Sequence, residues 1–187
     1  MKEKRRDEKI PNALIVAGLR ELSQYGIQGF SVRRVAGMCG ISCATPYRYF
    51  EDKTGFILAV IEHLSDQWKL MQEQVASVYK GDARRQLTEI CIANIRFRLA
   101  NPNLLFLTPS SRIARDQLRA LSAVSEGTSK IIDTYCEEHG ISDEERRRRL
   151  FLARSAVLGA VQMIGSGEME DSPDTEAMLR GCLDRIF

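Results

Sequence analysis

The chain has 187 residues, enough for one sizeable hydrophobic core or for a small module joined to a larger one. Its composition of 44% hydrophobic and 28% charged residues, with few prolines, is typical of a folded helical protein and excludes intrinsic disorder. The net charge of +2 is unevenly placed: residues 1–55 carry ten Lys or Arg against six Asp or Glu, and the remainder carries seventeen against nineteen. We therefore expect any polyanion to meet the N-terminal part.

Neither a membrane span nor a signal peptide is visible. No apolar run approaches the roughly 18 residues that cross a bilayer, and the opening segment MKEKRRDEKI is charged, so we expect a cytoplasmic protein with no membrane partner. The two histidines, His63 and His139, do not stand at zinc-ligand spacing from the cysteines, so we expect no metal and no cofactor. The odd number of cysteines indicates reduced thiols: Cys39, Cys43, Cys91, Cys136 and Cys182.

Two helices are predicted first. From Ile10 to Tyr25 apolar residues recur with the helical period, and Gly26 follows as a C-terminal stop. Ser31 can cap a second, short helix that runs through Cys39. This helix would bury one face, formed by Val32, Val35 and Ala36.

A third helix is predicted after a turn that contains Gly40. Ser42 would cap it, and Pro46 requires it to start near Cys43 or Ala44, because proline fits only in the first turn. Helix, glycine-containing turn and helix form the outline of a helix-turn-helix, whose second helix enters the DNA major groove. We predict such a domain over residues 1–52.

Residues 53–187 are predicted to form a second helical domain with five or six helices, which makes the fold class all-α. Ser142 and Glu145 mark a helix start, and the segment from Leu150 to Ile164 is apolar nearly all round. The last helix, from about Asp174, also has two apolar stripes. Two such helices from each of two subunits would form a homodimer interface, although a buried helix of a monomer gives the same pattern.

The four arginines at 146–149 have a simpler explanation than nucleic-acid binding. They follow three acidic residues, 143–145, at helical spacing of three and four positions. Ion pairs along one solvated helix face are therefore expected.

The third helix offers polar groups on one side and an apolar anchor on the other. Its hydroxyl, guanidinium and phenol groups are the kinds that meet base edges and phosphates in a major groove. The polar face is formed by Thr45, Arg48 and Tyr49, the apolar face by Pro46 and Phe50, and Tyr47 lies at the edge.

The segment LIVAGLRELSQYGIQGFSVRRVAGMCGISCATPYRYFEDKTGFI resembles the DNA-binding domain of the TetR family of transcriptional regulators. The resemblance lies in the glycine after the first helix, the S-V-x-x-V-A start of the second, the G-I-S turn and the T-x-Y-x-Y-F-x-x-K ending, and it covers about 45 residues. Leu22, Cys39 and Pro46 depart from the usual family residues, and the proline beside Tyr47 bears on which bases are favoured.

By position, the resemblance implies DNA contacts from Thr45, Tyr47 and Tyr49, a phosphate contact from Lys53, and a contact from Arg33. To these our own interpretation adds Arg48, as a guanine contact, a phosphate contact or a solvated side chain.

The resemblance also implies a ligand-responsive regulator and not an enzyme: a repressor that binds a near-palindromic double-stranded DNA operator as a homodimer through its last two helices. A small-molecule effector would release it. Arg98 and Gln162 are polar groups in or near apolar helices, and the candidate effector-binding residues are Trp68, Phe97, Phe106, Tyr135 and Arg154.

One alternative stays open: a helical ligand-binding or adaptor protein without sequence-specific DNA binding. An all-helical enzyme is disfavoured, because two isolated histidines beside scattered cysteines do not suggest a nucleophile with its base.

Overall fold

The computed structural model describes residues 2–102 and 126–187, and within those ranges it contains helices and no strands. The all-α prediction is confirmed. The elements are α1 (Lys2–Gly29), α2 (Val32–Met38), a short 3₁₀ helix (Thr45–Arg48), α3 (Lys53–Val78), α4 (Ala83–Ala100), α5 (Glu126–Glu138), α6 (Asp143–Gly165) and α7 (Pro173–Leu183).

The described residues divide into two compact units. Residues 2–66 form the N-terminal unit, and residues 67–102 with 126–187 form the C-terminal unit. Since α3 contributes residues to both, the division falls inside a helix and not in a linker.

The first helix of the N-terminal unit is broken where its sequence predicts, but it begins at Lys2 and not near Ile10. Gly26 has a φ of +63°, which interrupts α1 and leaves only a short turn before α2. Gly18 lets α1 approach α3 closely, because a Cβ there would lie 2.8 Å from a Val60 methyl and 3.3 Å from the Phe56 ring. Larger side chains of the same unit are also buried: Leu14, Leu22, Val35 and Ile61.

Helix α2 begins at its predicted cap. The Arg34 backbone N–H donates to Ser31 Oγ at 3.4 Å, so one N–H of the first turn is paired. Val32, Val35 and Ala36 are buried, as the helical spacing predicts.

The C-terminal unit is built around α4, which packs against α5, α6 and α7. Its start pairs with the end of α3: Gln86 Nε2 donates to the Ala76 carbonyl at 2.6 Å across the turn that joins the two helices. Ser142 caps α6 through the Glu145 N–H at 3.3 Å, as predicted. Two of the arginines that follow form the expected ion pairs, Arg149 at 3.0 Å and Arg148 at 3.4 Å from Glu145, whereas Arg146 pairs with Asp133 of α5 at 2.8 Å.

One buried carboxylate ties α1 to α2. Glu21 is only 2% exposed, and its Oε1 accepts from the Ser31 backbone N–H at 2.9 Å and from Arg34 Nε at 2.8 Å. The Arg34 guanidinium also lies 4.2 Å from the centre of the Tyr25 ring, and Glu21 raises its pKa through their hydrogen bond. Arg34 thereby connects α2 to α1 within the N-terminal unit.

Replacing this carboxylate by an apolar side chain is expected to loosen α2. Glu21→Leu leaves the Ser31 N–H without its acceptor, which costs about 1–3 kcal/mol of local stability. Native-state hydrogen exchange of the α2 amides measures the effect. Glu21→Gln is the matched control, because its amide oxygen still accepts from Ser31 and its loss should be smaller. Wild-type protection in Glu21→Leu would contradict the role of the carboxylate.

Candidate nucleic-acid interface

The turn after α2 has the hydrogen bonds of a Schellman motif. Ile41 N–H donates to the Ala36 carbonyl at 3.1 Å, and Gly40 N–H donates to the Gly37 carbonyl at 3.1 Å. Gly40 has a φ of +65°, the left-handed conformation that this motif requires. The turn therefore sets the direction in which the chain leaves α2.

The third helix differs from its prediction. It is a single 3₁₀ turn, Thr45–Arg48, and the predicted cap at Ser42 is wrong: the Ser42 hydroxyl pairs with the Thr45 hydroxyl at 3.0 Å, and no side chain caps the helix. Pro46 lies in its first turn, where proline permits both an α-helical and a 3₁₀ turn. Its carbonyl accepts from both Tyr49 and Phe50, each at 3.0 Å, so the turn closes between 3₁₀ and α geometry.

Aromatic packing anchors this segment. Pro46 is buried, and the Phe50 ring stacks on Phe56 with a centroid distance of 4.1 Å and planes 4° apart. Phe56 in turn meets the edge of Phe30 at 5.4 Å and 86°. Each such pair contributes about 0.5–1.5 kcal/mol beyond its burial. The apolar face of Pro46 and Phe50 is confirmed, while Phe56 as the stacking partner was not identified from the sequence.

The polar residues of the segment are exposed or half-buried. Tyr47 is 53% exposed and Arg48 is exposed, while Thr45 and Tyr49 are half-buried. These four side chains lie on one short, anchored stretch of backbone.

Two further candidates stand on the neighbouring helices. Arg33 is exposed on α2, whereas Arg34 is hydrogen-bonded to Glu21. Lys53 is the exposed first residue of α3, whose N-terminus is capped by Asp52 Oδ1, which accepts from the Gly55 N–H at 2.7 Å. A lysine at a helix N-terminus adds its own charge to a place where backbone N–H groups already favour phosphate.

Arg34 and Glu21 were not identified as a pair from the sequence. The sequence did contain a signal that Glu21 is buried. Leu22 belongs to the apolar stripe of the first helix, and Glu21 lies next to it at the margin of that stripe. An acidic residue at the margin of a buried stripe needs a partner, and an arginine thirteen residues later provides it.

The predicted effector residues lie in different settings. In the C-terminal unit Trp68 and Phe97 are buried with ring centroids 5.4 Å apart. Tyr135 is buried too, but its hydroxyl accepts from Arg149 at 2.9 Å. Arg154 is exposed on α6, and Phe106 lies outside the described residues.

Buried polar side chains in the C-terminal unit were missed. Gln72 Nε2 donates to the Thr128 hydroxyl at 2.7 Å, which joins α3 to α5. Asn94, on α4, is fully buried, and its Oδ1 accepts from Arg98 Nε at 2.8 Å. Its Nδ2 has no hydrogen-bond partner among the residues that the structure describes, and such a buried donor costs about 1–3 kcal/mol. Burial lowers the pKa of Arg98.

Helix α6 has the two faces that its sequence predicts. Ala153, Val157, Ala160 and Val161 are buried inside the unit. On its other side apolar residues are exposed, among them Phe151 at 69% and Leu158 at 50%, and α7 exposes Met178 and Cys182. Among the described helices none is long and apolar enough to span a membrane.

A supporting helix, a glycine turn and an anchored recognition segment with exposed polar groups define the class of a helix-turn-helix protein. The comparisons agree. The family model described as bacterial regulatory proteins, tetR family, matches residues 14–60, which contain the whole segment. Residues 14–60 are therefore a DNA-binding helix-turn-helix domain of the TetR family of transcriptional regulators.

A curated relative and two solved structures extend the likeness over most of the chain. The HTH-type transcriptional regulator BetI of Paraburkholderia xenovorans is 27% identical over 182 residues, covering 92% of this chain and 89% of the relative. A putative TetR-family regulator from Rhodococcus has a TM-score of 0.67 at 20% identity, covering 94% and 97% of the two chains. FadR from Bacillus subtilis, in complex with stearoyl-CoA, has a TM-score of 0.65 at 18% identity, covering 93% and 96%. The two structures share the fold.

Gly37 and Gly40 allow a matched pair of substitutions. Both have space for a Cβ, but Gly37 is helical and Gly40 has a positive φ. Gly40→Ala should cost about 1–2 kcal/mol, since alanine resists a positive φ. Gly37→Ala should gain up to about 1 kcal/mol, because Gly37 is helical and a Cβ there meets nothing within 4 Å. Hydrogen exchange of α2 and of residues 41–50 measures both. Equal effects of the two substitutions would contradict the strain argument.

Proposed function

We propose that this protein is a ligand-responsive repressor that binds a near-palindromic operator as a homodimer and is released by a small molecule. The observation that carries the proposal is the exposed pair Tyr47 and Arg48 on a backbone segment that Pro46 and Phe50 anchor from behind. Residues 1–52 would be the DNA-binding domain, and residues 53–187 the effector-binding and dimerisation domain.

The proposed DNA contacts divide by chemistry. Tyr47, Arg48 and the hydroxyl groups of Thr45 and Tyr49 would meet base edges and nearby phosphates, because they share the recognition segment. Arg33 and Lys53 would grip the phosphate backbone from α2 and α3.

Dimerisation is supported by the exposed apolar face of α6 and α7, formed by Phe151, Leu152, Leu158 and Met178. Apolar side chains concentrated on the outer face of two helices favour burial against a second copy. A dimer would hold two recognition segments about 34 Å apart, the spacing of successive major grooves on one side of DNA.

Release by a small molecule would follow from that spacing. An effector that binds better to a dimer with the wrong separation shifts the population away from DNA, by no more than its difference in affinity between the two states. Two structural relatives support an effector site, since their structures contain stearoyl-CoA in Bacillus subtilis FadR and minocycline in a TetR variant from Acinetobacter baumannii. Trp68 and Phe97 would form part of its apolar lining, while Tyr135, Arg154 and Phe106 stay candidates.

Binding to labelled DNA from upstream of the protein's own gene, against scrambled DNA over a range of salt, tests the DNA-binding part. We expect discrimination of at least about a thousandfold and a footprint over two half-sites. Tyr47→Ala should lower specific affinity by about tenfold to a hundredfold. Lys53→Ala should weaken binding to all sequences and reduce the salt slope by about one.

Lys80→Ala is the control for Lys53→Ala, because it removes the same charge from an exposed lysine just beyond α3. Equal binding of specific and scrambled DNA, unaffected by Tyr47→Ala, would contradict an operator-reading role. The adaptor alternative would then be favoured.

A charge in the exposed apolar face should separate the dimer. Leu158→Glu is expected to produce monomers at micromolar concentration, because a carboxylate would be buried in the interface without a partner. Leu70→Glu is the matched control, since Leu70 is also an exposed leucine but lies on α3. Analytical ultracentrifugation measures both. A monomeric wild type, or a Leu158→Glu dimer of unchanged affinity, would rule out this interface.

A further inference from the structure

Two adjacent arginines lie at the start of α2, and one of them turns back toward α1. Arg33 and Arg34 are the second and third residues of the helix, and both are exposed. The Arg34 guanidinium nevertheless donates to Glu21 Oε1 from Nε at 2.8 Å and from a terminal nitrogen at 2.5 Å. The same terminal nitrogen donates to the Gly29 carbonyl at 2.5 Å. Arg34 is therefore directed at the protein, whereas Arg33 is the exposed cation beside it.

These contacts cancel the charge of Arg34. Glu21 is 2% exposed and forms an ion pair with the guanidinium, whose pKa it raises through their hydrogen bond. The Tyr25 ring covers one face of the guanidinium, with its centre 4.2 Å away. A carboxylate and a guanidinium in direct contact have no net charge as a pair, so the pair attracts a polyanion only weakly.

Neither packing nor capping explains why residue 21 carries a charge. A leucine there would pack without a partner, and burial of a carboxylate costs free energy that its hydrogen bonds must offset. The Ser31 backbone N–H donates to Glu21 at 2.9 Å, but the amide oxygen of a glutamine would accept that bond as well. Of these contacts, only the one with Arg34 uses the negative charge of Glu21.

Compensation of Arg34 bears on DNA binding because of where α2 lies in a helix-turn-helix. The first helix of that motif crosses the phosphate backbone, and each phosphate that a cation neutralises releases condensed counterions. Two uncompensated arginines side by side would therefore add two such contacts. With Arg34 paired to Glu21, the same stretch of α2 offers one contact, from Arg33.

We infer that Glu21 is a positioning residue for DNA binding, which holds Arg34 away from the phosphates and leaves Arg33 as the phosphate-binding cation at the start of α2. The inference rests on the proposed contact between Arg33 and the phosphate backbone. It adds the residue that determines how strongly this end of α2 binds DNA of any sequence.

The salt dependence of binding to scrambled double-stranded DNA counts these charges, and it requires no known operator. In Glu21→Gln the acceptor for the Ser31 N–H stays but the negative charge is lost, so Arg34 becomes uncompensated. We expect the slope of log affinity against log salt to steepen by about one, and the affinity at about 0.1 M salt to rise about threefold to tenfold. A residue that only stabilised the fold would not produce tighter binding when it is replaced.

Two further variants locate the added charge. Glu21→Gln combined with Arg34→Gln should return the slope and the affinity to wild-type values, because the uncompensated cation is gone. Arg33→Gln in the wild-type background should make the slope shallower by about one. An unchanged or shallower slope in Glu21→Gln, or a steeper slope that persists in the double variant, would overturn the inference.

Glu62→Gln is the matched control, because it removes a carboxylate from an exposed position of the same unit. Glu62 lies about 13.5 Å along α3 from Lys53, which exceeds the screening length of about 10 Å at 0.1 M salt. Its salt slope should equal that of the wild type. A slope as steep as that of Glu21→Gln would show that any lost acidic charge has this effect, contrary to a particular role for Glu21.

A measurement on the wild-type protein does not depend on how the variants fold. In nitrogen-15 NMR spectra the Nε–H signals of Arg33 and Arg34 are identified by their absence in Arg33→Lys and Arg34→Lys. On titration with scrambled DNA the Arg33 signal should shift and the Arg34 signal should stay, because its Nε–H donates to Glu21 throughout. A shift of the Arg34 signal as large as that of Arg33 would be incompatible with the inference.

Failure of the proposed repressor gives a different result. Equal affinity for operator and scrambled DNA would refute that function, while a steeper slope in Glu21→Gln would still support the role of Glu21. Operator discrimination with no change of slope in Glu21→Gln would refute only the role of Glu21. A wild type that binds no DNA would refute both.

Discussion

The stacking of Phe50 on Phe56 is the contact on which the recognition surface depends. A one-turn helix cannot hold its own conformation, because a single turn fixes several backbone angles in return for very few hydrogen bonds. Parallel rings 4.1 Å apart, with Phe30 at 86° to the ring of Phe56, supply the tertiary anchor together with the burial of Pro46. The direction of Tyr47 and Arg48 thus follows from apolar packing behind them.

Much of this arrangement could be predicted from residue order alone. Gly26, Ser31 and Gly40 each determine the backbone around them through φ or through a local hydrogen bond, so the break in the first helix and the start of the second are readable in a single sequence. The same holds for Ser142 at the start of α6. Local signals of this kind depend on only a few neighbouring residues.

The missed features depend on residues that are distant in sequence. Glu21 pairs with Arg34 thirteen positions away, and Gln72 pairs with Thr128 fifty-six positions away. The apolar stripe of the first helix signals that Glu21 needs a partner, but no periodic pattern identifies which residue the partner is. The form of the third helix escaped prediction for a different reason. Pro46 permits both a first α-helical turn and a 3₁₀ turn, and the choice follows from where Phe56 holds the chain.

Helix α3 has a mechanical consequence. Its 26 residues contain no proline, and its one glycine, Gly55, lies in the first turn. At 1.5 Å per residue such a rod is about 39 Å long, and a tilt of about 5° at one end displaces the other by about 3 Å. In a helix of this length, a change of direction of a few degrees at one end is thus a displacement of several ångströms at the other.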